Sequence, residues 1–79
     1  MTMPTYRAPE HATIAVDAIG SIVVSTIVEF RGSSVMGYET AIKAGEHGNY
    51  VVVGMYWEEF RAEALAAHAL LVEQLGAMM

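Results

Sequence analysis

The sequence contains no cysteine and few basic residues, and each shortage excludes a class of protein. Without cysteine the chain has no disulfide and no thiolate metal site. Only 4 Lys and Arg residues stand against 9 Asp and Glu residues, and Arg7, Arg31, Lys43 and Arg61 are scattered singly. Binding to nucleic acid through phosphates requires a basic patch, so direct contact with DNA or RNA is not expected. The net charge of −5 instead suits a partner with a basic protein surface.

Long hydrophobic runs are also missing. The longest nearly apolar stretch, 12–28, is interrupted by Asp17, Gly20 and several hydroxyl residues, which does not fit a transmembrane helix. Residues 1–10 contain two prolines and no apolar segment of the signal-peptide type. We therefore expect a cytoplasmic protein that makes no membrane contact.

The chain length predicts a single small domain over 1–79. Residues 1–11 are expected to form an irregular N-terminal segment, because Pro4 and Pro9 oppose regular pairing. A domain of this size buries only about 60% of the surface of its unfolded chain. Since 54% of the residues are hydrophobic, the surplus apolar surface favours self-association.

The segment Trp57–Leu75 predicts the one helix, because it lacks Gly and Pro and is rich in Ala, Leu and Glu. Glu58 and Glu59 suit the positive end of the helix dipole, and Gly76 is expected to end the helix. Residues at helical spacing predict an apolar stripe, formed by Phe60, Ala64, Ala67, Leu71 and Leu75 and widened by Trp57, Leu65, His68 and Val72. The opposite line is expected to face solvent: Glu59, Glu63, Ala66, Leu70 and Glu73.

Two β-branched runs around Gly20-Ser21 predict a hairpin with a two-residue type II′ turn. Ile22–Phe30 is typical of a strand, and Thr13–Ile19 is predicted to pair with it. This register places Asp17 opposite Val24, on a face that should be buried. Either the turn is longer, or Asp17 lies near an edge, or 12–19 is not a strand.

A second hairpin follows a predicted connection over 31–37. Strands are expected at Tyr38–Ala44 and Tyr50–Tyr56, joined by a loop over 45–49. The register pairs Ile42 with Val52, Thr40 with Gly54 and Tyr38 with Tyr56. The sequence thus predicts an α+β fold, an antiparallel sheet of three to four strands with one C-terminal helix packed on one face.

Alternation divides the strand residues into two faces. The helix is expected to cover the even-numbered face, which collects Ile22, Val24, Val28, Phe30, Tyr38, Ile42, Tyr50 and Val52. The odd-numbered face is also largely apolar, whereas a solvated sheet face should be polar. We predict a homodimer interface on this face through Val23, Ile27, Val51, Val53 and Met55. The alternative is that residues 1–11 fold back over it.

No pattern of catalytic or metal-binding residues is present. His11, His47 and His68 have no metal-ligand spacing, and His68 is expected to be a packed histidine with one hydrogen bond. The glycine-containing turn 45–48 precedes a strand and carries a negative charge, so it does not suit a phosphate. We expect no enzyme activity, no metal and no cofactor.

Carboxylates are the remaining candidates for a binding site. If these carboxylates lie on one surface, Lys and Arg side chains of a partner protein could bind them in the way they bind the phosphates of DNA. The candidate residues are Glu29, Glu39, Glu46, Glu58, Glu59, Glu63 and Glu73. The alternative is that these charges are scattered and serve solubility.

Several short segments resemble a family of short phage and prophage proteins. The resemblance covers 22–76 and is carried by Val24-Ser25-Thr26, Tyr38-Glu39-Thr40, Tyr56 and a helix with Glu63-Ala64 and His68. The chain departs from that pattern at Ala41, Lys43 and Ala67. The family implies a phage origin and no assigned activity. Small, acidic, cysteine-free phage domains also resemble anti-CRISPR proteins.

The leading prediction is therefore a phage-encoded stoichiometric inhibitor of a host CRISPR–Cas complex, acting in the host cell cytoplasm. Its acidic surface would mimic DNA and block binding of target DNA. The alternative is a small self-associating structural or accessory phage protein without a defence target.

Overall fold

The computed structural model describes residues 10–45 and 47–78. Its four strands are β1 (His11–Ile19), β2 (Ile22–Arg31), β3 (Ser34–Ala44) and β4 (Val51–Trp57), and they form one antiparallel sheet in the order β1-β2-β3-β4. A short 3₁₀ helix, Glu58–Phe60, leads into the helix α1, Arg61–Met78. The predicted α+β fold is confirmed: one antiparallel sheet with one C-terminal helix packed on a face.

Two Gly-Ser dipeptides make the first two turns of the sheet. Gly20 has a φ of 60° between the paired residues Ile19 and Ile22, and no residue other than glycine has a positive φ in the described chain. This fits the predicted type II′ turn, in which only the first central residue needs a positive φ. Gly32, with a φ of 62°, plays the same part before β3.

The predicted boundaries need correction at one end of each of the first three strands, while Ile19, Ile22 and Ala44 are ends as predicted. The connection predicted over 31–37 is wrong, because Gly32-Ser33 alone turns the chain and β3 begins at Ser34. The segment predicted to be irregular, 1–11, overlaps β1 at His11. The rest of that prediction, over 1–9, lies outside the described residues.

A β-bulge at Val53 changes the predicted register of the second hairpin. Tyr38 pairs with Tyr56 and Thr40 with Gly54, as predicted, but Ile42 pairs with Val51 and not with Val52. One extra residue on β4 therefore moves Val51 to the face of the sheet that Ile42 occupies.

The helix α1 packs across the even-numbered face of the sheet. Val28, Tyr38 and Ala64 form the buried cluster, with Ile14, Phe30, Val35 and Tyr56 packed against it. Ala64 and His68, from the predicted stripe, are the buried residues of α1. The opposite line is exposed, as predicted, at Glu59, Glu63, Ala66, Leu70 and Glu73. No helix among the described residues is long and apolar enough to span a membrane.

Two predictions about the ends of the helix are wrong. Trp57 is 72% exposed and Phe60 is 39% exposed. They do not join the stripe, because the 3₁₀ turn between β4 and α1 does not follow the spacing of an α-helix. The helix also continues through Gly76 to Met78, since Gly76 does not adopt the positive φ of a terminating glycine.

Candidate functional site

A chain of four polar side chains lies between α1 and the sheet. The hydroxyl oxygens of Thr40 and Thr26 are 2.6 Å apart, and Thr26 Oγ1 lies 2.7 Å from Nδ1 of His68. On the other side of the ring, Nε2 of His68 lies 2.7 Å from Oδ2 of Asp17. The chain joins β3, β2, α1 and β1, so three of the four strands and the helix α1 contribute one group each.

This hydrogen-bond chain explains the position of Asp17. The residue is opposite Val24 in an edge strand, on the face that α1 covers, and its side chain is 52% exposed. Its carboxylate reaches His68, so the polar group on the helix-covered face has a partner. Of the three alternatives left open by the sequence, the edge position is the one the structure adopts.

The hydrogen-bond directions follow from the groups themselves. A carboxylate only accepts, so Nε2–H of His68 donates to Asp17, and in a neutral ring Nδ1 then accepts from the hydroxyl of Thr26. The oxygen of Thr26 accepts in turn from the hydroxyl of Thr40. His68 makes two hydrogen bonds, where the sequence predicted one.

The order carboxylate, imidazole and hydroxyl is also that of a nucleophilic triad. Here, however, the hydroxyl belongs to Thr26, which is 0% exposed, and its neighbour Thr40 is 4% exposed. A nucleophile must reach its substrate, and Thr26 is enclosed by the sheet and α1. The arrangement therefore serves to fix α1 on the sheet.

The four-residue chain draws on the segments that carry the sequence resemblance. Thr26 ends Val24-Ser25-Thr26, Thr40 ends Tyr38-Glu39-Thr40, and His68 is the histidine of the helix segment. Three short segments far apart in sequence thus contribute neighbouring groups to one buried contact.

The predicted acidic residues are distributed unevenly. Glu58, Glu59, Glu63 and Glu73 are all exposed along the 3₁₀ turn and α1. Glu29 is half-buried on β2. Glu39 is 6% exposed in the middle of the sheet, so it adds little to an acidic surface and is a correction to the predicted set. Glu46 lies outside the described residues.

The residues predicted to mediate self-association do not share one surface. Ile27 is 1% exposed within the single chain and Val23 is half-buried, so Ile27 offers no free contact area. Val51, Val53 and Met55 are 46%, 51% and 71% exposed. The bulge separates them, because Val51 pairs with Ile42 on the helix-covered face while Met55 pairs with Glu39 on the other.

The strand β4 is an edge of the sheet, since within the described part of the chain it pairs with β3 alone. Its seven residues, Val51–Trp57, include no charge and no proline. Natural edge strands are usually protected by such residues or by bulges. Here the bulge at Val53 is the protection, and it leaves exposed apolar side chains on both sides of the edge.

An apolar groove lies at the end of the sheet where β4 passes into the 3₁₀ turn. It has a volume of about 470 Å³ and is lined by Glu29, Met36, Gly37, Tyr38, Met55, Tyr56 and Trp57. A second cavity of about 620 Å³ adjoins it and is lined by Ser34, Val35, Met36, Trp57, Glu58 and Glu59. Met36 and Trp57 border both cavities. We call the two together the Met36–Trp57 groove.

Sequence reasoning missed this groove for two reasons. It assigned Trp57 to the buried stripe of the helix and Met36 to a connection. The available signal was the uncharged β4 sequence that ends in Trp57 and continues into Glu58-Glu59. Tryptophan is enriched among the residues that contribute most to binding at protein interfaces.

Within residues 10–45 and 47–78, no three His, Asp or Glu side chains converge in a way that would hold a metal ion. No protein-family model, no curated protein and no solved structure matches the chain.

Proposed function

We propose that the protein works by binding a basic protein surface, with no reaction of its own. The observation that carries this proposal is the exposure of four carboxylates, Glu58, Glu59, Glu63 and Glu73, along one continuous segment of the chain. The exposed Trp57 lies directly beside the first two of them. Carboxylates select a basic partner and speed the encounter, while a desolvated aromatic side chain supplies binding energy.

The proposed partner is a host CRISPR–Cas effector complex, whose DNA-binding surface is basic. The net charge of −5 and the resemblance to phage proteins support this choice. Bound there, the acidic segment would occupy the place of target DNA. The protein would act stoichiometrically, because an inhibitor that competes for a surface must be present at the concentration of that surface.

The test is the loading of labelled target DNA onto a purified effector complex with increasing amounts of the protein. We expect DNA loading to fall to background near one protein per binding surface, and added salt to weaken the inhibition. A complex that binds the protein and still loads DNA normally would rule out DNA mimicry. A complex that does not bind the protein would rule out this partner.

A second candidate function is self-association as a structural or accessory phage protein. It is favoured by the uncharged edge strand β4 with its exposed Val51, Val53 and Met55. The two candidates use different surfaces, the β4 edge and the acidic segment. Substitutions can therefore separate them.

A further inference from the structure

We infer that the Met36–Trp57 groove binds a partner segment in which an arginine or lysine side chain stands beside an aliphatic one. The inference rests on the proposed function and identifies where and how the basic partner is held. It is argued from the apolar surface of the groove, from its charge and from its size.

The apolar part of the groove is formed by side chains that the fold leaves exposed. Trp57 is 72%, Met55 71% and Met36 47% exposed. Gly37 lies between them, paired with Trp57, and leaves the floor without a side chain. A β-carbon at Gly37 would collide with the carbonyl oxygen of Tyr56, so close packing of the two backbones requires this bare floor. Methionine side chains are adaptable and suit varied aliphatic partners.

The charge at the rim of the groove has one sign. Glu29 lines the first cavity, and Glu58 and Glu59 line the second, while neither lining includes a lysine or an arginine. The nearby guanidinium of Arg61 lies over the ring of Tyr38, 5.8 Å from its centroid, on the helix side. A cation entering the groove would therefore meet carboxylates and the aromatic side chain of Trp57, and aromatic rings attract cations.

The first cavity of the groove has room for a side chain, and the second is a more open depression. The two cavities measure about 470 Å³ and 620 Å³. Both fall within the range of about 300–1,000 Å³ that is usual for ligand pockets. One cavity would take the aliphatic side chain against Met55 and the other the basic side chain beside Glu58.

A second copy of the chain fits this groove less well than a basic partner. Each copy carries a net charge of −5, and the groove is rimmed by three glutamates. Contact between two such rims would place like charges together, which is unfavourable. The occupant that fits the groove is therefore a basic, aliphatic segment of another protein.

The test uses Trp57 itself as the reporter, because it is the only tryptophan in the chain. Blocked hexapeptides of alternating Arg and Leu, and of alternating Glu and Leu, are titrated into the full chain at about 0.1 M salt, where the Debye length is about 10 Å. We expect a saturable blue shift of tryptophan emission with the Arg-Leu peptide and none with the Glu-Leu peptide. Burial of an exposed indole on binding is the physical cause of the shift.

Two substitutions within the groove should weaken this binding. Reversing both charges in Glu58→Lys/Glu59→Lys should raise the Kd of the Arg-Leu peptide by about tenfold or more, because attraction becomes repulsion. Met36→Ser should weaken it by removing apolar contact. The control Ala77→Lys adds a charge at an exposed position at the far end of α1, and screening should limit its effect to about twofold. Circular dichroism checks that each variant is folded.

Equal binding of the two peptides, or an equal loss in Ala77→Lys, would overturn the inference. So would a blue shift that depends on protein concentration without peptide, since that would place a second copy in the groove.

The proposed function is tested separately. Effector binding that survives the groove substitutions but not charge reversal at Glu63 and Glu73 would overturn the groove alone. Peptide binding in a protein that does not bind the effector would overturn the proposed partner alone.

Discussion

His68 on α1 hydrogen-bonds Asp17 on β1 across a sequence separation of 51 residues, with 2.7 Å between Nε2 and Oδ2. His68 is 4% exposed, so its ring would be a buried polar group without partners if the helix shifted along the sheet. A buried donor or acceptor left without a partner costs about 1–3 kcal/mol. The contact therefore specifies the position of α1 along the sheet. The apolar residues around it are less specific, because apolar contacts are not directional.

Thr26→Val tests the centre of that chain. Valine has nearly the shape of threonine, so the change removes one hydroxyl and leaves Nδ1 of His68 and the hydroxyl of Thr40 without this partner. We expect the free energy of unfolding to fall by about 1–3 kcal/mol. Urea unfolding followed by far-UV circular dichroism measures it.

Two variants calibrate this result. Thr13→Val, an exposed position on β1, should change stability by less than about 0.5 kcal/mol. Asp17→Ala should cost less than Thr26→Val, because the side chain of Asp17 is 52% exposed and water screens its pairing with His68. If Thr26→Val is as stable as Thr13→Val, the hydrogen-bond chain does not support the fold.

Gly37→Ala tests the close approach of β3 and β4. The added methyl group would meet the backbone oxygen of Tyr56, which a side-chain rotation cannot relieve. We expect a loss of about 1–3 kcal/mol, as for other overpacked sites. The matched control is Gly76→Ala, where no atom lies within 4 Å and the residue is helical. There the same methyl group should stabilise the protein by up to about 1 kcal/mol. A Gly37→Ala variant of unchanged stability would contradict the backbone contact.

Val53→Lys tests self-association at the β4 edge. A charge on an exposed edge strand opposes pairing with another chain, so the variant should remain monomeric at concentrations where the parent protein associates. Light scattering coupled to size-exclusion chromatography gives the mass of each species. Val16→Lys, at a valine that is 59% exposed on the opposite edge strand, is the control and should associate as the parent does. A parent protein that stays at 8.5 kDa at micromolar concentration would contradict self-association.

Glu63→Lys/Glu73→Lys tests the acidic face of the helix. Both residues are exposed on α1, so the double variant should fold normally while its net charge changes from −5 to about −1. We expect inhibition of DNA loading to weaken by about tenfold or more. Self-association at the β4 edge should be unaffected. Loss of self-association together with inhibition would mean that the two functions share a surface.

The sequence alone determined the strand β2, the strand β3 from Tyr38 onward, the central part of the helix and the turn at Gly20-Ser21. Each of these depends on local patterns: β-branched runs, helix-forming residues and a glycine at the first position of the turn. The sequence also predicted the pairing of Thr40 with Gly54. A glycine-containing loop and the alternation of faces allow only a few registers between β3 and β4. Sequence reasoning did not recognise Gly32-Ser33 as a second turn of the same kind.

Only the tertiary structure decided the rest. A bulge such as that at Val53 breaks the alternation by which odd-numbered and even-numbered residues are assigned to opposite faces of the sheet. The residue numbers of β4 therefore could not tell which of its side chains lie on which face. The exposure of Trp57 follows from a 3₁₀ turn of three residues, which helical spacing does not anticipate. The meeting of Asp17, Thr26, Thr40 and His68 depends on where the helix crosses the sheet, and no local pattern specifies contacts between residues so far apart.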